Sequence, residues 1–120
     1  MSSTNHTYVK RETISDLVYN EEAYIREFAE ATEDSFSEFR SNYGKYLLER
    51  DETNFRKAGH KIKPVAQMLN IDVIVEEYEH AKTLLWEERA QEELEASVEK
   101  IDAICEQVIR ELKDIQQNPK

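Results

Sequence analysis

The chain has 120 residues, a formal net charge of −10, and 35% charged against 39% hydrophobic residues. That length makes one domain with a modest core, and only 2 Gly and 2 Pro argue for long helices rather than an all-β protein. The acidity argues against general nucleic-acid binding, which needs cations to displace phosphate counterions, and no run of about 18 apolar residues is present to span a membrane.

Residues 1–10 are polar and aperiodic, so they are expected to be frayed or disordered, with His6 in that tail. They hold no basic region followed by an apolar stretch, so no secretory signal is expected; Met1 suggests a free-standing protein, with a domain cut from a longer chain and carrying an added methionine as the alternative. A short helix is expected from Thr13 to Tyr19, capped by Thr13 or Ser15, with Ile14, Leu17 and Val18 inward. Asn20 reads as the next N-cap, and Glu21 and Glu22 place negative charge where the helix dipole favours it. The second helix is expected to run to about Glu49. Its stripe of Tyr24, Phe28, Ala31, Ser35, Phe39, Tyr43, Tyr46 and Leu47 has near-heptad spacing and reads as core. Gly44 within it costs roughly 1 kcal/mol relative to Ala and does not break the helix.

Asp51 reads as the third N-cap, with Glu52 in the first turn. Phe55, Ala58, Ile62, Ala66 and Leu69 then follow the i, i+3, i+7, i+11, i+14 pattern that a helix buries, with Val65 at its edge. Asn70 reads as a C-cap and Asp72 as the N-cap of a fourth helix ending near Trp86, with Ile71, Ile74, Val75, Tyr78, Ala81 and Leu85 inward. The acidic residues 87–93 read either as a turn or as the start of the last helix. From Leu94 the stripe Leu94, Val98, Ile101, Cys105, Val108, Leu112 and Ile115, widened by Ile104 and Ile109, marks a long amphipathic helix. Residues 117–120 are a tail. Cys105 is the sole cysteine and reads as a buried thiol in a reducing compartment, which points to the cytoplasm. Four such helices with short connections predict an all-α fold, an antiparallel four-helix bundle over residues 11–116 with a short extra N-terminal helix.

On the third helix the side chains advance by about 100° per residue, which sets His60 almost opposite the apolar stripe. Arg56, Lys57, Lys63, Pro64 and Gln67 share its outer face. Residues 55–65 carry Arg56, Lys57, Lys61 and Lys63 and no carboxylate, a local basic patch suited to an anionic ligand or an acidic partner. Pro64 removes the N–H that the His60 carbonyl would accept, so a bend just past the histidine is expected, with that carbonyl tipped to solvent. Elsewhere Glu77 and His80 form one half of a carboxylate-bridged di-iron signature, but the second copy is missing, and no metal site is expected. No nucleophile elbow or paired-carboxylate site stands out.

The stretch Ala58-Gly59-His60-Lys61-Ile62-Lys63 resembles the active helix of histidine-containing phosphotransfer (HPt) domains. There a histidine, two further residues, a lysine and usually a glycine precede small and apolar residues; here Pro64 replaces that glycine. Chain length, helical pattern, the acidic cap at Asp51 and the mid-chain position of the helix extend the resemblance. It implies a phosphorelay intermediate in which His60 accepts a phosphoryl group from a receiver-domain aspartate and passes it to another receiver. Such a nucleophile is a neutral imidazole, the main form above the reference pKa of about 6.5. Lys63 would aid it electrostatically, with Arg56, Lys57, Lys61 and Gln67 contacting phosphate or partner, and Gly59 and Pro64 setting how closely the receiver approaches. The resemblance implies no cofactor in this chain, with Mg²⁺ supplied by the receiver. It also implies partners among response regulators or hybrid histidine kinases, with a monomer expected. No nucleotide-binding segment stands out, so no autonomous kinase activity is expected, and charge and hydropathy point to neither nucleic acid nor membrane. The alternative is a non-catalytic helical adaptor that docks an acidic partner through the same basic face.

Overall fold

Among the described residues, 6–119 of the computed structural model, the chain is all-helical with no strand. The elements are α1 (Arg11–Leu17), α2 (Glu22–Leu48), α3 (Glu52–Met68), α4 (Asp72–Trp86) and α5 (Gln91–Gln117). No helix there is long and apolar enough to cross a membrane.

The first four helices end alike. Tyr19, Arg50, Asn70 and Glu88 follow their C-caps at φ of 58°, 56°, 60° and 52°. The next amide in each case turns back to a last-turn carbonyl: Asn20 to Ser15 at 2.7 Å, Asp51 to Tyr46 at 2.9 Å, Ile71 to Ala66 at 2.8 Å and Arg89 to Leu84 at 3.0 Å. This left-handed closure satisfies carbonyls that a helix end leaves orphaned. Asn70 therefore stops a helix, as its residue type suggests. Asn20 does not start one: it too has φ of 60°, and Glu21 precedes α2 without a side-chain cap bond. Ile71, not Asp72, is the N-cap of α4, and the Asp72 carboxylate lies in the first turn instead. The acidic 87–93 stretch divides, with Glu87 and Glu88 in the turn and Glu92 and Glu93 in the first turn of α5.

The two 27-residue helices α2 and α5 would each span about 40 Å at 1.5 Å per residue, nearly the full 46 Å long dimension. Their contacts step back along α5 as they step forward along α2. Arg26 donates to the Gln116 carbonyl, Arg40 to Asp102, and Gln91 to the Leu48 carbonyl. Helix α3 packs on α2 and α4, and α4 also packs on α5.

The stripes of α3 and α5 are buried largely as their spacing requires, including Phe55, Ile62, Ala66, Leu94, Ile101, Leu112 and a fully buried Cys105, while Val98 and Ile109 are half-buried. The first half of α2 is different. Ile25, Ala29, Thr32 and Phe36 face the core, whereas Tyr24 is 55% exposed, Ala31 is exposed and Phe28 and Ser35 are half-buried. The true stripe sits one residue further on, a rotation of about 100°, because Tyr24 and Phe28 pack at its margin rather than its centre. From Phe39 onward the expected residues Phe39, Tyr43 and Leu47 are buried. In α1 only Ile14 is buried, and Leu17 is 42% exposed.

The N-terminal segment corrects a further expectation. Residues 1–5 lie outside the described residues, but 6–10 are tied down rather than frayed. The Glu111 carboxylate, on a residue only 2% exposed, accepts from the Thr7, Tyr8 and Val9 amides at 2.8, 2.9 and 2.8 Å and from Gln107 at 2.7 Å. His6 ring nitrogens lie 2.9 Å from the Val9 carbonyl oxygen and 2.8 Å from Asp114. At the other terminus Arg11 donates to the Asn118 carbonyl. Lys120 lies outside the described residues.

Candidate functional site

The outer face of α3 is held in place by its inner one. Asp51 caps the helix by accepting from the Asn54 amide at 3.2 Å and the Asn54 side chain at 2.8 Å, and these bonds hold its carboxyl below the ordinary range. Phe55 stands between Tyr43 and Tyr78 with ring centroids 5.0 and 5.1 Å away, anchoring the first turn to both neighbouring helices. Burying such a ring contributes about 1.5–3 kcal/mol. The helix runs through Pro64 to Met68 without a break, because Ala66 and Leu69 continue the buried stripe.

On that scaffold His60 is exposed, and among the described residues its ring has no hydrogen-bond or ion-pair partner. Arg56, Lys57, Lys61, Pro64 and Gln67 are exposed with it, and Lys63 is half-buried. Gly59 is the exception. It is buried, and a Cβ built there would overlap the Tyr78 ring. Its missing side chain serves the contact between α3 and α4.

The patch is less free than residues 55–65 suggest, because carboxylates arrive from elsewhere. Lys61 reaches α2 and pairs with Glu38 at 2.6 Å. Lys63 reaches α4 and pairs with Glu79 at 2.9 Å. Arg56 pairs with Glu52 one turn back at 3.4 Å. Lys57 makes no ion pair among the described residues. His60 thus rides on a ridge whose flanking lysines turn to opposite sides. Hydrogen bonds from Lys63 and Lys82 hold the Glu79 carboxyl below its ordinary value. Beneath the ridge, Tyr78 is pushed up, by burial first and by Glu79 second.

Glu38, Glu79, Tyr78 and Lys82 are the site residues that spacing along the chain does not reveal. Their one sequence signal is that Lys82 follows Glu79 by three residues and the inward Tyr78 by four, one turn of α4 in each case.

The other reactive side chains, His80 apart, are occupied or inert. Glu77, half of the di-iron pattern, is 6% exposed; it accepts from Ser97 at 2.7 Å and pairs with Lys100 at 3.2 Å. Ser97 is also 2.6 Å from the Tyr43 hydroxyl, which burial pushes well above its ordinary pKa. Burial likewise pushes the Cys105 thiol up to about 12, far from thiolate chemistry. Among the described residues no group of three or more His, Cys, Asp or Glu is placed to hold a metal ion. His80 is exposed on α4, but Glu76 and Glu77 occupy the turn before it, whereas Arg56 and Lys57 occupy the turn before His60.

Comparison with family models, with curated proteins and with solved structures gives no match to this chain.

Proposed function

We propose that this chain is a phosphorelay intermediate of the HPt kind, an antiparallel four-helix bundle with a short N-terminal helix, in which His60 carries the phosphoryl group. The observation that carries the reading is the pairing of an unpartnered, solvent-facing imidazole with cations one turn to either side on a helix locked from within. A lone pair on the ring attacks the phosphorus of a receiver's aspartyl phosphate. The O–P bond breaks, its electrons leave on the aspartate, and the new N–P bond is later cleaved by a second receiver's carboxylate. Such transfer depends chiefly on position and charge, which a rigid helix and nearby lysines supply. The returning contacts between α2 and α5, with α3 on α2 and α4, support the bundle.

The ion pairs of Lys61, Lys63 and Arg56 bear directly on this chemistry. Pairs this exposed contribute about 0–1 kcal/mol, so an incoming group carrying close to two negative charges draws a lysine away at little cost. Mg²⁺ and the acidic pocket come from the receiver, and the partners are receivers of response regulators or hybrid kinases in the cytoplasm. The chain acts as a monomeric carrier without kinase activity of its own.

Incubation with a phosphorylated receiver is expected to give acid-labile label on the wild-type protein and none on His60→Gln. Label persisting in the variant places the acceptor elsewhere. Receiver binding that survives His60→Gln, never yields label, and is lost when Arg56 and Lys57 are replaced together identifies the adaptor instead.

A further inference from the structure

Glu79 holds two cations at once. Its Oε2 is 2.9 Å from Lys63 and its Oε1 is 2.9 Å from Lys82. Lys82 is further steadied over the Tyr78 ring, 5.2 Å from its centroid. That ring is the one wedged against Gly59, so the carboxylate is registered against the turn of α3 that presents His60. We propose that Glu79 is a positioning residue that stows Lys63 on α4 while His60 is unmodified and yields it once His60 bears a phosphoryl group. This inference rests on the phosphotransfer reading above.

Three features make Lys63 the movable cation. It lies three residues after His60, on the same helical face and within one turn. Its departure leaves Glu79 still paired, because Lys82 stays on the other oxygen; no carboxylate is stranded. Its pair is half-exposed, with side chains 34% and 44% accessible, so water and a stronger anion compete for it. Lys61 is the contrasting case. Glu38 has no second cation among the described residues, so removing Lys61 leaves that carboxylate unpaired. The exchange moves no covalent bond; it replaces a contact to one negative charge by a contact to a group of higher charge.

The test uses phosphoramidate as donor, which needs no partner protein: the imidazole lone pair forms the N–P bond as the donor's own N–P bond breaks and ammonia leaves. Phosphohistidine lifetime is followed by ³¹P NMR in the wild type, Glu79→Gln, Lys63→Ala and the double variant, with Tm checked for each. Glu79→Gln is expected to lengthen the lifetime about two- to fivefold, the factor that corresponds to releasing one exposed ion pair. In the Lys63→Ala background the same change is expected to do nothing, because Glu79 acts only through Lys63. An unchanged lifetime in Glu79→Gln, or an equal gain with and without Lys63, overturns the inference while leaving phosphotransfer intact. A wild-type protein that takes no phosphate on His60 overturns both.

Discussion

Two carboxylates at different places in this molecule do opposite things with their hydrogen bonds. Glu111, near the end of α5, is nearly inaccessible and holds three consecutive backbone amides and a glutamine side chain. Glu79, beside the exposed face of α3, holds two flexible ammonium groups in water. The first arrangement is obligatory, because the buried Val9 amide, deprived of its acceptor, has no substitute. The second is exchangeable, since Lys63 can turn to solvent or to another anion while Lys82 keeps the carboxylate paired. A fixed clasp and a loose one use the same functional group, and burial decides which is which.

Removing the fixed clasp is expected to have the largest effect. Glu111→Ala should destabilise the fold by about 3 kcal/mol, the upper end for a charge-assisted hydrogen bond whose partners are left unpaired. Chemical denaturation measures it, and a loss within error of zero would mean that residues 6–10 contribute little. The same clasp sets an acid limit. Burial raises the Glu111 pKa, but bonds from Gln107 and from the Val9, Thr7 and Tyr8 amides outweigh it and hold the value below the ordinary 4.5. A lowered folded-state pKa means the stabilisation is complete above the unfolded value and is lost as pH falls through the folded one. Stability should therefore decline below about pH 4.5, with amides 7–9 exchanging first, and Glu111→Gln should flatten that decline.

Next come the two helical glycines, which share a propensity cost but not an environment. Gly59→Ala forces a methyl into Tyr78 and is expected to cost about 1–3 kcal/mol, as overpacking does. Gly44→Ala meets Val98 at an ordinary 3.4 Å and should stabilise by about 0.5–1 kcal/mol. Thermal melts of the pair check both signs, and a stabilising Gly59→Ala would contradict the close approach of α3 and α4. The smallest change in stability belongs to the exposed face. Lys63→Ala should move stability by less than about 1 kcal/mol while slowing transfer from several receivers. Unaltered kinetics would remove Lys63 from the reaction.

Much of this was legible in the chain because it lies within single helices. The cap at Asp51 follows from its residue type, and the stripe from Phe55 to Leu69 and the outward direction of His60 follow from a 3.6-residue period. The stop at Asn70 follows from a residue type that tolerates positive φ. What escaped is tertiary. Nothing near Lys63 announces a carboxylate 16 residues on, so a patch that looks bare along the sequence is partly neutralised in space. Nothing along the chain shows that Gly59 makes space for the Tyr78 ring of α4. The clasp of residues 7–9 joins amides to a carboxylate more than 100 positions away, and polar composition alone suggested fraying. In α2, aromatic residues at the margin of the stripe drew the reading one residue off until Phe39.

The most direct measurement maps phosphate to one imidazole by NMR after incubation with a phosphorylated receiver. The chain offers 3 histidines, and if His60 is the acceptor its ring alone gains an N–P coupling while His6 and His80 keep their unmodified signals. A phosphoryl group on the exposed ring of His80, or on no histidine at all, would contradict it.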